Sequence, residues 1–156
     1  VPDARFLVVG ATLFPDPGRD YEAELHQQAA DLDIADRVVF CGHRDDPLLS
    51  LSAMDVVANC SRNEPFGRVL LEAMACRRPV VAFRSGAVPE IVADRETGVL
   101  VPYADTAALA EAVLGLLADP GRASAFGEAG RKRAAEHFSL AASTRAIEAV
   151  YDELTA

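Results

Sequence analysis

Lysine is nearly absent from this chain: of 15 basic residues only Lys132 is a lysine, and 24 acidic residues bring the formal net charge to −9. Such a balance repels nucleic acid and anionic membrane, so an anionic ligand has to be held by local positive groups. No lysine stands beside a glycine-rich turn, which excludes a phosphate loop of the kinase and NTPase kind. Cysteine is scarce as well. Cys41, Cys60 and Cys76 are odd in number, lack metal-ligand spacing and lie in or beside apolar runs, so buried, reduced thiols are expected rather than zinc or disulfides. Uninterrupted apolar runs fall short of the roughly 18 residues a membrane span needs, and no charged-then-apolar leader opens the chain. No transmembrane segment and a cytoplasmic location are therefore expected. The chain starts at Val1 without a methionine and runs almost at once into a strand-like segment, as a piece of a longer protein would.

What is present is alternation. Short β-rich apolar runs, RFLVV, RVVFC, DVVAN, PVVAF and GVLV, are separated by the helical patterns DYEAELHQQAADL, DPLLSLSA, GRVLLEAMA, AVPEIVA and DTAALAEAVLGLLA. The runs are apolar throughout rather than alternating in polarity, which predicts strands covered on both faces and a doubly wound parallel sheet. The remainder, from Asp119, reads as helical, with Pro120 at one helix start and Ser139 at an N-cap. The whole, 1–156, reads as a single domain.

In a parallel sheet all strand-to-helix loops emerge on one edge, where open α/β sheets bind ligands. Those loops run from Gly10 to Arg19, Gly42 to Asp46, Ser61 to Gly67 and Arg84 to Gly86, and they bring Arg44, Arg62, Arg68 and Arg84 to a rim suited to an anion. Gly67 opens a helix, whose amides and positive dipole end suit a phosphate or a sugar hydroxyl. Glu64 lies in the loop and Glu72 within the helix, among Val69, Leu70, Leu71, Ala73 and Met74. A charge in such company is costly unless hydrogen-bonded, and two carboxylate oxygens match the cis-diol of a ribose. The plainer alternative is that Arg68 and Glu72 form an i, i+4 pair and Glu64 caps the turn.

The segments EPFGRVLLEAMA, PVVAF, SGAVPEIV, ETGVLVPYAD and ALAEAV, in this order, resemble the donor-binding C-terminal half of retaining GT-B glycosyltransferases of the family 4, group 1 type. The signature of that family, a Glu, seven residues and a second Glu, is met by Glu64 and Glu72, and the resemblance covers nearly the whole chain. It implies a Rossmann-like fold, a nucleoside diphosphate sugar as substrate with no cofactor and no metal, and transfer to a hydroxyl acceptor with retained configuration. By the same resemblance Glu64 is the catalytic-site carboxylate at the transferred sugar, with Pro65, Phe66 and Gly67 beside it and the Phe66 and Gly67 amides on sugar hydroxyls. Glu72 takes the ribose, the Arg68 and Val69 amides the phosphates, and Gly42, His43 and Arg44 lie beside the nucleobase, whose identity is not legible.

Two positions depart from the pattern: Arg77 stands where the family usually has Gly, and Gly86-Ala87 where it has a Gly-Gly pair. More is absent. The N-terminal acceptor domain and the first strand and loop of the donor domain, with their Arg and Lys for the diphosphate, find no counterpart in the chain. The missing acceptor domain is thus an expected partner, any peripheral membrane attachment is expected through it, and the chain alone should be inactive. His43 and Asp45 have no third ligand nearby in sequence, and His26 and His137 read as surface and helix-terminal residues. Ser85-Gly86 lacks the flanking glycine of a nucleophile elbow. A sugar-nucleotide epimerase of the same two-domain plan is an alternative; a receiver-like signalling module is another, but it leaves the Glu64 to Glu72 signature unexplained.

Overall fold

A computed structural model describes residues 3–12 and 17–155. Part of the first predicted ligand-edge loop, residues 13–16, lies outside them. The elements follow in the order β1 (Phe6–Val9), α1 (Tyr21–Asp31), β2 (Val38–Gly42), α2 (Pro47–Ser52), β3 (Val57–Asn59), α3 (Arg68–Ala75), β4 (Val80–Phe83), α4 (Val88–Ile91), β5 (Gly98–Val101), α5 (Thr106–Ala118), α6 (Pro120–His137) and α7 (Leu140–Thr155). Every strand pairing is parallel, as the alternation predicts, but the strands lie in two sheets rather than one, β1-β2 and β3-β4-β5. The chain correspondingly divides into two compact units, Val1–Ser50 and Leu51–Ala156.

In the first unit β1 and β2 run side by side with Phe6 opposite Val38, and the Gly10 amide donates to the Gly42 carbonyl at 2.9 Å, closing the ladder at the strand C-terminal ends. Helix α1 starts at Asp20, whose carboxylate accepts from the Ala23 amide at 3.0 Å, with Glu22 and Glu24 in the first turn at the positive dipole end. The helix lays His26 on Phe40, ring centroids 3.8 Å apart. The expected two-sided cover is not met here: Phe6, Leu7, Val8 and Val39 are all exposed. One helix can shield only one face of a two-stranded ribbon, and a run that is apolar at every position has side chains on both.

The second unit meets the expectation. Strand β4 is central and buried along its whole length. Val80 and Ala82 point into a core with Leu70, Ala73, Met74, Val88 and Ile91, whereas Val81 points the other way, onto Leu116 and Phe126. This period of two, with helices on either face, is the doubly wound arrangement. Each fully buried aliphatic side chain contributes about 1.5–3 kcal/mol, so the sheet edge is held by a rigid base. Helix α6 begins at Pro120, capped by the Asp119 carboxylate on the Arg122 amide at 3.0 Å, and approaches α3 closely at Gly127 and Gly130. The Ser139 hydroxyl accepts from the Ala142 amide at 3.2 Å at the start of α7, as predicted. Among the described residues no helix is long and apolar enough to cross a membrane.

The cysteines depart from expectation: Cys41 and Cys76 are half-buried and Cys60 is exposed. Cys60 directly follows the last β3 residue and so belongs to the loop rather than to the apolar run beside it.

Candidate functional site

Because β3 and β4 are parallel neighbours, the loops that follow them, 60–67 and 84–87, leave the same sheet edge, which places Glu64 and Arg84 together there as predicted. The first loop is organised around the Glu64 carboxylate. Asn59, the last β3 residue, is 8% exposed, and its side-chain oxygen accepts from the Ser61 amide at 3.2 Å. The Ser61 hydroxyl donates to Glu64 Oε2 at 2.9 Å and the Gly67 amide to Oε1 at 2.8 Å. Burial by itself would raise the Glu64 pKa; hydrogen bonds from Ser61, the Gly67 amide, the Asn59 side chain and the Phe66 amide outweigh it and hold the carboxyl below its ordinary value. Glu64 is thus a fixed anion. The Gly67 amide, expected with that of Phe66 to hold sugar hydroxyls, donates to this carboxylate instead.

Two glycines shape the loop. Gly67 sits at φ 83°, the left-handed region, immediately before α3, and a Cβ there would lie 2.6 Å from Ile91 Cδ1. Gly86, at φ 55°, lies so close that a Cβ would collide with the Glu64 carbonyl oxygen. The Ala87 amide donates to that same carbonyl at 2.9 Å, and the Ser85 hydroxyl donates to the Arg62 carbonyl. The loop after β4 is therefore clamped onto the loop after β3. Sequence reasoning assigned no role to Asn59, Ser61 or Ser85; the available signal was three small polar residues within a few positions of two strand C-terminal ends.

In the first turn of α3, the amides of Arg68 and Val69 have no intrahelical acceptor by position, and the helix is fixed at its start by Leu70 and Leu71 amides on the Gly67 carbonyl at 3.0 and 3.3 Å. Glu72 is not enclosed by apolar side chains as its sequence neighbours suggested. Its side chain is 25% exposed, with Oε1 3.3 Å from Arg68 Nε. Leu70, Ala73 and Met74 occupy the buried face, and Glu72 lies on the helix flank with Arg68. Of the rim arginines, Arg84 pairs with Asp94 at 2.9 Å, and Asp94 in turn accepts from the Leu100 amide at 2.9 Å. Gly42, His43 and Arg44 belong to the first unit: Gly42 has φ 62°, and exposed His43 and Asp45 stand 3.5 Å apart.

The chain resembles known proteins along nearly all of its length. It is 42% identical over 147 residues to the GDP-mannose-dependent alpha-(1-6)-phosphatidylinositol monomannoside mannosyltransferase of Mycolicibacterium smegmatis, covering 88% of this chain and 37% of that protein. The N-acetyl-alpha-D-glucosaminyl L-malate synthase of Bacillus anthracis is 34% identical over 149 residues, covering 96% of this chain and 37% of the relative. Among solved structures, Anabaena Alr3699/HepE in complex with UDP superposes with a TM-score of 0.90 at 32% identity, covering 98% of this chain and 42% of that one. The chain thus spans about two-fifths of the length of these relatives. The family model for glycosyl transferases group 1 matches residues 1–133, and the chain belongs to that family.

Proposed function

We propose that this chain is the donor-binding part of a retaining glycosyltransferase, which takes a nucleoside diphosphate sugar and passes the sugar to a hydroxyl acceptor. The observation that carries this reading is the Glu64 carboxylate, held as an anion at the C-terminal sheet edge directly before the free amides expected at the α3 N-terminus. In this arrangement Glu64 faces the transferred sugar, with Pro65, Phe66 and Gly67 forming the turn beside it. The Arg68 and Val69 amides take diphosphate oxygens, so that the helix dipole and arginines, rather than a metal ion, stabilise the leaving group. Glu72 exchanges its Arg68 partner for the ribose hydroxyls. A relative named for GDP-mannose and a solved relative holding UDP support the substrate class and leave the base to experiment.

A calorimetric panel of uridine, guanosine and adenosine diphosphates tests this, with Glu72→Gln alongside. The variant keeps the shape and removes the charge, so affinity for the preferred diphosphate should fall by about 1.5–3 kcal/mol, the range for a hydrogen bond to a charged group. Stability should drop by only about 0.2–0.5 kcal/mol, the usual size of an i, i+4 pair. If Glu72 served the Arg68 pair alone, the same small stability loss would come with unchanged affinity, and Glu72 would leave the site.

A further inference from the structure

We propose that Asn59 and Ser61 are positioning residues of the transfer reaction, which aim the Glu64 carboxylate at the sugar. This inference rests on the reading of Glu64 as the sugar-facing group. Three features of the loop carry it. Asn59 is buried at the end of β3, a position fixed by the central strand beside it, and its oxygen accepts from the Ser61 amide at 3.2 Å. That bond ties the Ser61 backbone to the strand end and so sets where its hydroxyl points. The Ser61 hydroxyl then reaches Glu64 Oε2 at 2.9 Å, on the opposite oxygen from the one that accepts the Gly67 amide. A carboxylate bonded on one oxygen alone can swing about its last side-chain torsion, whereas donors on both oxygens fix the plane of the group.

The backbone under Glu64 is fixed separately, from the next loop, through the Ala87 amide on its carbonyl at 2.9 Å. Removing the Ser61 hydroxyl therefore leaves the loop path in place and frees the carboxylate plane. Reaction rate is sensitive to that plane, because a group displaced by a fraction of an ångström stabilises the transition state less than it stabilises the bound substrate. The diphosphate contacts, the Arg68 and Val69 amides in the first turn of α3, are held by the helix rather than by this carboxylate plane.

The test uses the full-length enzyme that contains this chain, with UDP-glucose and GDP-mannose as donor probes and the corresponding diphosphates as binding probes. Ser61→Ala should lower kcat by about tenfold or more, the loss that follows from a charged hydrogen bond, with KM for the donor and affinity for the diphosphate within about twofold. Ser61→Thr, which restores the hydroxyl, should recover most of the rate. Wild-type kcat in Ser61→Ala beside an inactive Glu64→Gln enzyme would overturn the proposal while leaving the donor-site reading intact. An active Glu64→Gln enzyme would instead bring down the reading on which the proposal rests. Should Ser61→Ala melt below the assay temperature, Ser61→Cys, nearly the same shape with a weaker donor, replaces it with the same expected fall in kcat and the same overturning result.

Discussion

At Glu64 two effects oppose each other, since partial burial disfavours the charged carboxylate and hydrogen bonds from Ser61, the Gly67 amide, Asn59 and the Phe66 amide favour it, and the bonds win. A carboxyl whose folded pKa lies below its unfolded value contributes stability that is fully present above the unfolded pKa, near 4.3 for Glu, and disappears as pH falls through the folded pKa. Glu64→Gln leaves one side-chain oxygen and places an amide donor opposite the Gly67 N–H or the Ser61 hydroxyl. Only the hydroxyl can turn round to accept. The variant therefore keeps both bonds but makes them neutral rather than charge-assisted, and should lose about 1 kcal/mol at pH 7, with the gap to wild type closing as pH falls below the unfolded value of about 4.3. Urea titrations of both proteins across that range check it, and a gap that stays constant with pH would show that Glu64 charge is not stabilised by its donors. Glu72 teaches a different lesson at this scale. Its apolar neighbours in sequence suggested enclosure, but residues adjacent along a helix point 100° apart, and the pair spacing to Arg68 predicted its surroundings better than its immediate neighbours did.

Among the elements, α3 shows why the sequence pattern and the structure agree so closely. Its end is a Schellman motif, with the Arg78 amide on the Ala73 carbonyl at 2.9 Å and the Arg77 amide on the Met74 carbonyl at 2.9 Å. This motif places its C′ residue in the left-handed region, and Arg77 has φ 57°, which gives a physical reason for the glycine usual at this point in the family and identifies Arg77 as a strained substitute. The strain is supported from outside the helix, by an ion pair from Arg77 to Glu128 of α6 at 2.8 Å. Helix α6 comes near enough for this because Gly127 lies against the Arg77 backbone, where a Cβ would collide with its carbonyl oxygen. In α5, by contrast, Gly115 has open space where its Cβ would be. The same substitution should then have opposite signs. Gly115→Ala should stabilise by up to about 1 kcal/mol through helix propensity, while Gly127→Ala should destabilise by about 1–3 kcal/mol through overpacking that outweighs the same propensity gain. Thermal melts of the two variants decide it, and a stabilised Gly127→Ala protein would mean that α6 does not pack against the end of α3 at this glycine.

For the molecule as a whole, strand and helix order, parallel pairing and the Glu64 loop were legible because each rests on local sequence: apolar runs of strand length, helical spacing between them, and glycine where the chain turns back. The split into two sheets was not, since a run such as FLVV states that both faces can be covered and says nothing of what covers them. The Asn59, Ser61 and Ser85 contacts were hidden for a related reason, because they join residues by loop geometry that no periodicity encodes. The same limit bears on activity. The chain spans about two-fifths of its relatives, and on the proposed reading its described residues supply donor contacts alone. Transfer requires the acceptor to be oriented against the donor sugar with water excluded, which a solvent-facing edge does not provide. The isolated chain should accordingly bind a nucleoside diphosphate in the calorimeter, weakly, and yet release labelled sugar to no acceptor in a panel of alcohols, inositols and oligosaccharides. Joining it to the part of a relative that it does not span should restore transfer. Turnover by the isolated chain at a rate matching the full-length enzyme would show that both halves of the chemistry lie within these residues, and an acceptor-orienting role for the rest of the protein would have to be abandoned.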